Sequence, residues 1–183
     1  MKTIQEAVVK GGIGFGVVSF CVFATVAFSE RWMYSHLGVL GAYLTWTILF
    51  IVLGGGILGT LVTGRWALPK FYLVFAIAFF AYAFGWVAAY FILRGKTGQR
   101  AGSLIGSILM ALVFAAGFRA TKVLAKLAAI LFVTNSIGYF LGSALNESIG
   151  GQTGMLVWGV SYGVFLGVGI GAALQISESS SQS

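Results

Sequence analysis

WGVSYGVFLGVGIG, residues 158–171, places glycine at 159, 163, 167 and 171 inside an otherwise apolar run. Positions four apart in a helix lie on one face, drifting by about 40° per step. Gly159, Gly163, Gly167 and Gly171 therefore cut a groove up one side of a helix. Lipid tails are as apolar as leucine, so hydrophobicity alone cannot seat one membrane helix on another. Close backbone approach can. The groove predicts a helix lying in it.

The spacing recurs. Gly12 and Gly16, Gly55 and Gly59, Gly102 and Gly106, and Gly138 and Gly142 repeat it in four other apolar runs. Ser103 and Ser107 add a second stripe of small residues beside Gly102 and Gly106. Three readings follow: packing within the chain, contacts between copies, and a pore lined by glycine backbone.

Composition sets the solvent. Of 183 residues, 59% are hydrophobic and 8% charged. A soluble domain carries about 25% charged residues. With 11 basic and 4 acidic side chains and a mean hydropathy of +0.99, the chain cannot cover itself with a hydrated surface. Lipid is the solvent that fits. The net charge of +7 does not point to nucleic acid, because the basic residues sit singly or in threes between apolar runs.

About 20 helical residues cross a hydrocarbon core of about 30 Å. Six runs qualify, at about 8–28, 37–62, 71–93, 102–118, 123–145 and 151–174. They are continuous and do not alternate with period two, which favours helices over a barrel. The expected fold is an all-α polytopic bundle of six transmembrane helices in one domain, 1–174. A polar, disordered tail is expected at 175–183. The connections SERWMYSH, TGRWALPK, RGKTGQR, RATK and NESIG are short, and the only proline, Pro69, falls in the second. The first run reads as a retained signal anchor.

Two topological expectations follow. Lys2, Lys10, Arg65, Lys70, Arg119, Lys122 and Lys126 would share the side of the termini, against Arg31, Arg94, Lys96 and Arg100 opposite. Seven against four places both termini in the cytoplasm. Residues 10–28 also lie over 100–118, matching Gly12 with Gly102 and Gly16 with Gly106. Likewise 55–62 lie over 138–145, and 83–86 over 161–164. Three helices per half would invert the second half relative to the first, a 3+3 repeat.

The third run holds ten aromatics between Phe71 and Phe91. Rings on nearly every side suggest a peripheral helix facing lipid, another subunit or a pigment. Trp32 and Trp66 suit the interfacial belt.

The chemistry-bearing residues are few. One histidine, His36, one cysteine, Cys21, and four acids, Glu6, Glu30, Glu147 and Glu178, exclude di-iron, haem-pair and zincin sites and leave little for acid–base catalysis. No cofactor or metal is expected, and no enzyme. No ionisable residue lies near a run's centre, which argues against proton coupling. The most polar intramembrane patch is Thr134-Asn135-Ser136. Asn135 either lines a polar path or bonds helices together. Thr45, Thr47 and Ser161 are further neutral candidates. Arg119, Lys122 and Lys126, spaced i, i+3, i+7, form a ridge suited to anionic headgroups or to ordinary anchoring.

Two function classes remain. One is a small, oligomeric channel or facilitator for an uncharged or inorganic solute. The other is a non-catalytic subunit packing into a larger membrane complex. Membrane lipids, copies of the chain or other membrane subunits are the expected partners. Convergence of Thr45, Asn135 and Ser161 on one cavity would favour transport.

Overall fold

The computed structural model describes residues 3–62 and 67–181. It is helical, with no strand among the described residues. Lys2, Arg65 and Trp66, used above for orientation and the aromatic belt, lie outside them.

Five helices are long and apolar enough to cross a membrane. They are α1 (Ile4–Leu58), α2 (Ala67–Leu93), α3 (Gly95–Gly117), α4 (Leu124–Ile149) and α5 (Gly151–Ser181). A 3-10 turn, Gly59–Leu61, follows α1, and another, Thr121–Val123, precedes α4. Six separately bounded helices were expected; α1 takes in the first two.

The segment 29–36, read as a loop, is helical because it holds no glycine or proline. The chain breaks instead at Gly38, with φ 67° and ψ 176°. That backbone region is essentially glycine's alone. The Phe15 and Phe50 rings stack with centroids 5.6 Å apart. A straight helix would hold them about 50 Å apart. So α1 folds back, and its first limb (4–37) lies against its second (39–58). A capping box starts the first limb: Glu6 N donates to Thr3 Oγ1, and Thr3 N donates to the Glu6 carboxylate, both at 3.2 Å.

Other boundaries differ too. The third expected loop tightens to a turn at Arg94 (φ 53°) and Gly95 (φ 53°), and α3 starts there, not at 102. α5 continues to Ser181, through most of the tail expected to be disordered. There Ser177 Oγ donates to the Ala173 carbonyl at 2.8 Å and Ser179 Oγ to that of Gln175 at 2.9 Å. These bonds let serines sit on a helix without competing for its ladder.

The groove on α5 is filled from within the chain. Gly159 meets Phe23, Gly163 meets Ser19 and Gly16, Gly167 meets the Gly11 carbonyl, and Gly171 meets that of Ala7. The first limb of α1 runs antiparallel along it. Gly138 and Gly142 face α5 at Tyr162 and Trp158. Gly55 and Gly59 face the start of α2 at Tyr72 and Leu68, and Gly102 and Gly106 face α2 at Trp86 and Tyr82.

That last contact reverses the expectation for the aromatic helix. α2 is not peripheral. Phe71, Phe75, Phe79 and Tyr82 are buried, while Phe80, Phe84 and Phe91 face outward. The buried rings follow one another at centroid distances of 5.5 to 5.8 Å and meet Phe15 and Phe50. The small face of α3 makes room for Tyr82 at Gly106, while Gly54 and Gly59 make it for Phe75 and Phe71: rings enter where a neighbour carries glycine.

Candidate functional site

A hydrogen-bonded chain of neutral side chains crosses the bundle. Tyr162 Oη donates to Tyr82 Oη at 3.1 Å. Tyr82 Oη donates to Asn135 Oδ1 at 2.8 Å. Asn135 Nδ2 donates to Ser103 Oγ at 2.8 Å, and Ser103 and Ser136 join their hydroxyls at 2.7 Å. Asn135 and Ser103 are fully buried, and Tyr82 and Tyr162 nearly so. The chain ties α2, α3, α4 and α5 in turn. An unsatisfied polar group in hydrocarbon costs several kcal/mol, so each partner suppresses that cost for the next.

This settles what Asn135 contacts. Both its amide atoms are engaged by other helices, so its side chain ties the bundle. Ser136 belongs to the same chain. Thr134 Oγ1 donates to the Ile130 carbonyl of its own helix at 2.8 Å and packs on Gly169. Thr45 Oγ1 donates to Gly41 O and Thr47 Oγ1 to Tyr43 O, each at 2.8 Å. The Ser161 carbonyl lies against Gly138. Thr45, Asn135 and Ser161 do not converge on one cavity.

A cavity does adjoin the network. It has a volume of about 180 Å³ and lies between both limbs of α1, α2, α4 and α5. Phe23, Tyr43, Trp46, Phe50, Phe79, Tyr82, Trp86, Tyr139 and Tyr162 form its aromatic wall, completed by Val22, Val26, Thr47, Ala83 and Val87. No lining residue is charged. Tyr43, Thr47, Ala83 and Val87 also line a second space of about 190 Å³. That space reaches Leu40, Leu44, Phe80 and Phe84, which are exposed on the apolar flank. The aromatic cavity thus adjoins a lateral recess between the second limb of α1 and α2.

Two of its wall residues carry an unmet donor. The indole Nε1 groups of Trp46 and Trp86 are buried without a hydrogen-bond partner. Most buried polar groups are paired, and each exception calls for a reason. Trp158 Nε1 and the hydroxyls of Ser19 and Ser107 are likewise unpartnered, on residues that do not line the cavity.

Sequence reasoning found Asn135 and Ser136 but not their partners. Tyr82 reads there as one ring among ten and Ser103 as a small residue, and Tyr162 is not singled out. Two mid-helix tyrosines were the available signal, because a phenolic hydroxyl in hydrocarbon needs a partner.

The basic ridge is rearranged. Arg119 stands at φ 56° between helices, Lys122 is in the 3-10 turn and Lys126 is in α4. All three are exposed, but they do not share one helix face. His36 stacks on Trp32 at 4.6 Å, at the surface. Among the described residues no cluster of His, Cys, Asp or Glu could hold a metal. Compared with family models, curated proteins and solved structures, the chain matches none.

Proposed function

We propose that this chain is a six-pass integral membrane protein that takes a small uncharged molecule from the bilayer into its aromatic cavity. The cavity carries the reading. Its volume of about 180 Å³ compares with the ~150 Å³ of an engineered apolar cavity that binds benzene. Its uncharged wall would penalise any ion, and its neighbouring recess faces the apolar flank. This narrows the facilitator expected from sequence: the route is sideways from lipid, and the Asn135 network is no path. The alternative, a packing subunit, draws on the glycine stripes, the aromatic third run and the lack of a charged site. The stripes of α5 are filled by α1.

The fold-back of α1 at Gly38 supplies the sixth pass. An even number of passes puts both termini on one side. The seven-to-four distribution of basic residues supports the cytoplasm. Protease access to a C-terminal tag on intact cells would overturn that orientation.

A 3+3 inverted repeat is supported by paired contacts. The sequence match sets Gly16 over Gly106 and Gly163 over Gly85. A Cβ built on Gly163 would lie 3.0 Å from the Gly16 Cα, and one built on Gly85 3.6 Å from the Gly106 Cα. The match also sets Gly12 over Gly102 and Val164 over Trp86. A Cβ on Gly12 would lie 3.4 Å from the Val164 carbonyl, and one on Gly102 3.0 Å from that of Trp86. Matched residues thus make matched contacts. The middle helices do not follow, since Gly138 meets Tyr162 but Gly55 meets Tyr72. The proposed repeat is therefore carried by the outer helices of each half.

The uptake reading is tested with fluorobenzene and the full chain in lipid nanodiscs. Ring currents from the wall should give a ¹⁹F resonance displaced from that of fluorobenzene dissolved in the bilayer. Ala83→Phe, which adds a ring to both spaces, should abolish it. A single bilayer resonance with the native chain would sink the reading.

A further inference from the structure

The hydrogen-bonded chain has a direction, and the direction ends at the cavity. Asn135 Nδ2 donates to Ser103, so Asn135 Oδ1 is the atom that accepts from Tyr82. The Tyr82 hydroxyl has one proton, and that proton is spent on Asn135. Tyr162 must then donate to Tyr82, at 3.1 Å. A hydroxyl carries one donor and two acceptor lone pairs. Tyr162 has used its donor, and its oxygen keeps acceptor capacity beside a wall that Tyr162 and Tyr82 both form.

Resting on the uptake reading above, we infer that the preferred ligand is a neutral one-ring molecule with a hydroxyl donor, a phenol. Its O–H donates to Tyr162 Oη and extends the chain by one link. Its ring occupies the cavity that Phe23, Phe50 and Phe79 line. A charged phenolate is excluded by the uncharged lining and by the loss of the donor that Tyr162 requires.

The test compares three ligands of similar shape, 4-fluorophenol, 4-fluorotoluene and 4-fluoroanisole, by ¹⁹F titration of nanodiscs, with empty nanodiscs correcting for partition. The phenol should bind about fivefold more tightly than the toluene, the worth of one ordinary net hydrogen bond. Tyr162→Phe should remove that preference and leave toluene binding unchanged. Tyr82 then loses only a bond it accepts, so the variant should stay folded, and its toluene binding shows that it has. Equal binding of phenol and toluene by the native chain, or a preference that survives Tyr162→Phe, would overturn the inference while the uptake reading stands. Anisole matching phenol would mean that the chain runs in the opposite sense and presents a donor, which also overturns it. Binding of none of the three would remove the uptake reading itself.

Discussion

Gly163 rests on Gly16, close enough that a Cβ built on Gly163 would come 2.7 Å from the Phe15 carbonyl and 3.0 Å from the Gly16 Cα. Both neighbours are backbone and cannot swing away. Gly163→Leu should therefore part α5 from the first limb of α1. Overpacking a core costs typically 1–3 kcal/mol, and a clash with backbone belongs at or above the top of that range. Loss of the monodisperse native species, or a stability loss of about 3 kcal/mol in mixed-micelle unfolding, is expected. Native mass with native stability would contradict it.

The position of that contact was legible because four glycines at one spacing need a partner. Which partner was not legible, since Gly167 meets Gly11 across 156 residues of chain. The same non-locality hid the role of α2. Its rings look lipid-facing when read alone, and it is small residues on two neighbours that draw them inward: Gly102 and Gly106 on α3 meet Trp86 and Tyr82, and Gly54 and Gly59 meet Phe75 and Phe71. Helical membrane character followed from composition. The loops were drawn too long where polar residues were read as breakers: 29–36 and 96–100 are helical, and the turns fall at Gly38, Gly95 and Gly150, where φ is positive. Asn135 stood out as polar in an apolar run, whereas its bond to Tyr82 spans 53 residues and has no local signature.

The fold-back of α1 can be tested by a covalent bond. A Cβ built on Gly14 lies 3.7 Å from the Ile57 Cβ. Disulfides need a Cβ separation of about 3.5–4.5 Å. In a Cys21→Ser background, Gly14→Cys with Ile57→Cys should oxidise to an intramolecular disulfide, read as a gel shift on reduction. An unbroken helix would hold these positions about 64 Å apart and give none.

Gly38 itself should resist substitution for a backbone reason alone. No atom lies within 4 Å of a Cβ built there, so packing does not forbid a side chain. Its φ of 67° with ψ 176° does. Gly38→Ala should cost about 1–3 kcal/mol, the range for a residue held in such a region. Gly56, in the second limb, would meet only the far end of the Tyr72 side chain, at 3.3 Å. Gly56→Ala should cost less than Gly38→Ala in the same unfolding assay, and the reverse order would contradict the turn.

The Tyr82–Asn135 bond should appear as a coupling. Tyr82→Phe leaves Asn135 Oδ1 without its donor, and Asn135→Leu leaves the Tyr82 hydroxyl without its acceptor. Each stranded polar atom costs about 1–3 kcal/mol, and Tyr82→Phe also leaves the Tyr162 hydroxyl without its acceptor, in the single and the double variant alike. The double variant strands neither of those two atoms, so its loss should fall short of the sum. Side-chain hydrogen bonds between membrane helices couple by about 0.6 kcal/mol on average and up to about 1.7. Full burial at 2.8 Å puts this pair toward the upper end. A double-mutant cycle of unfolding free energies gives the number directly. Strict additivity would mean that the two side chains are satisfied separately, and that Asn135 does not hold α4 to α2.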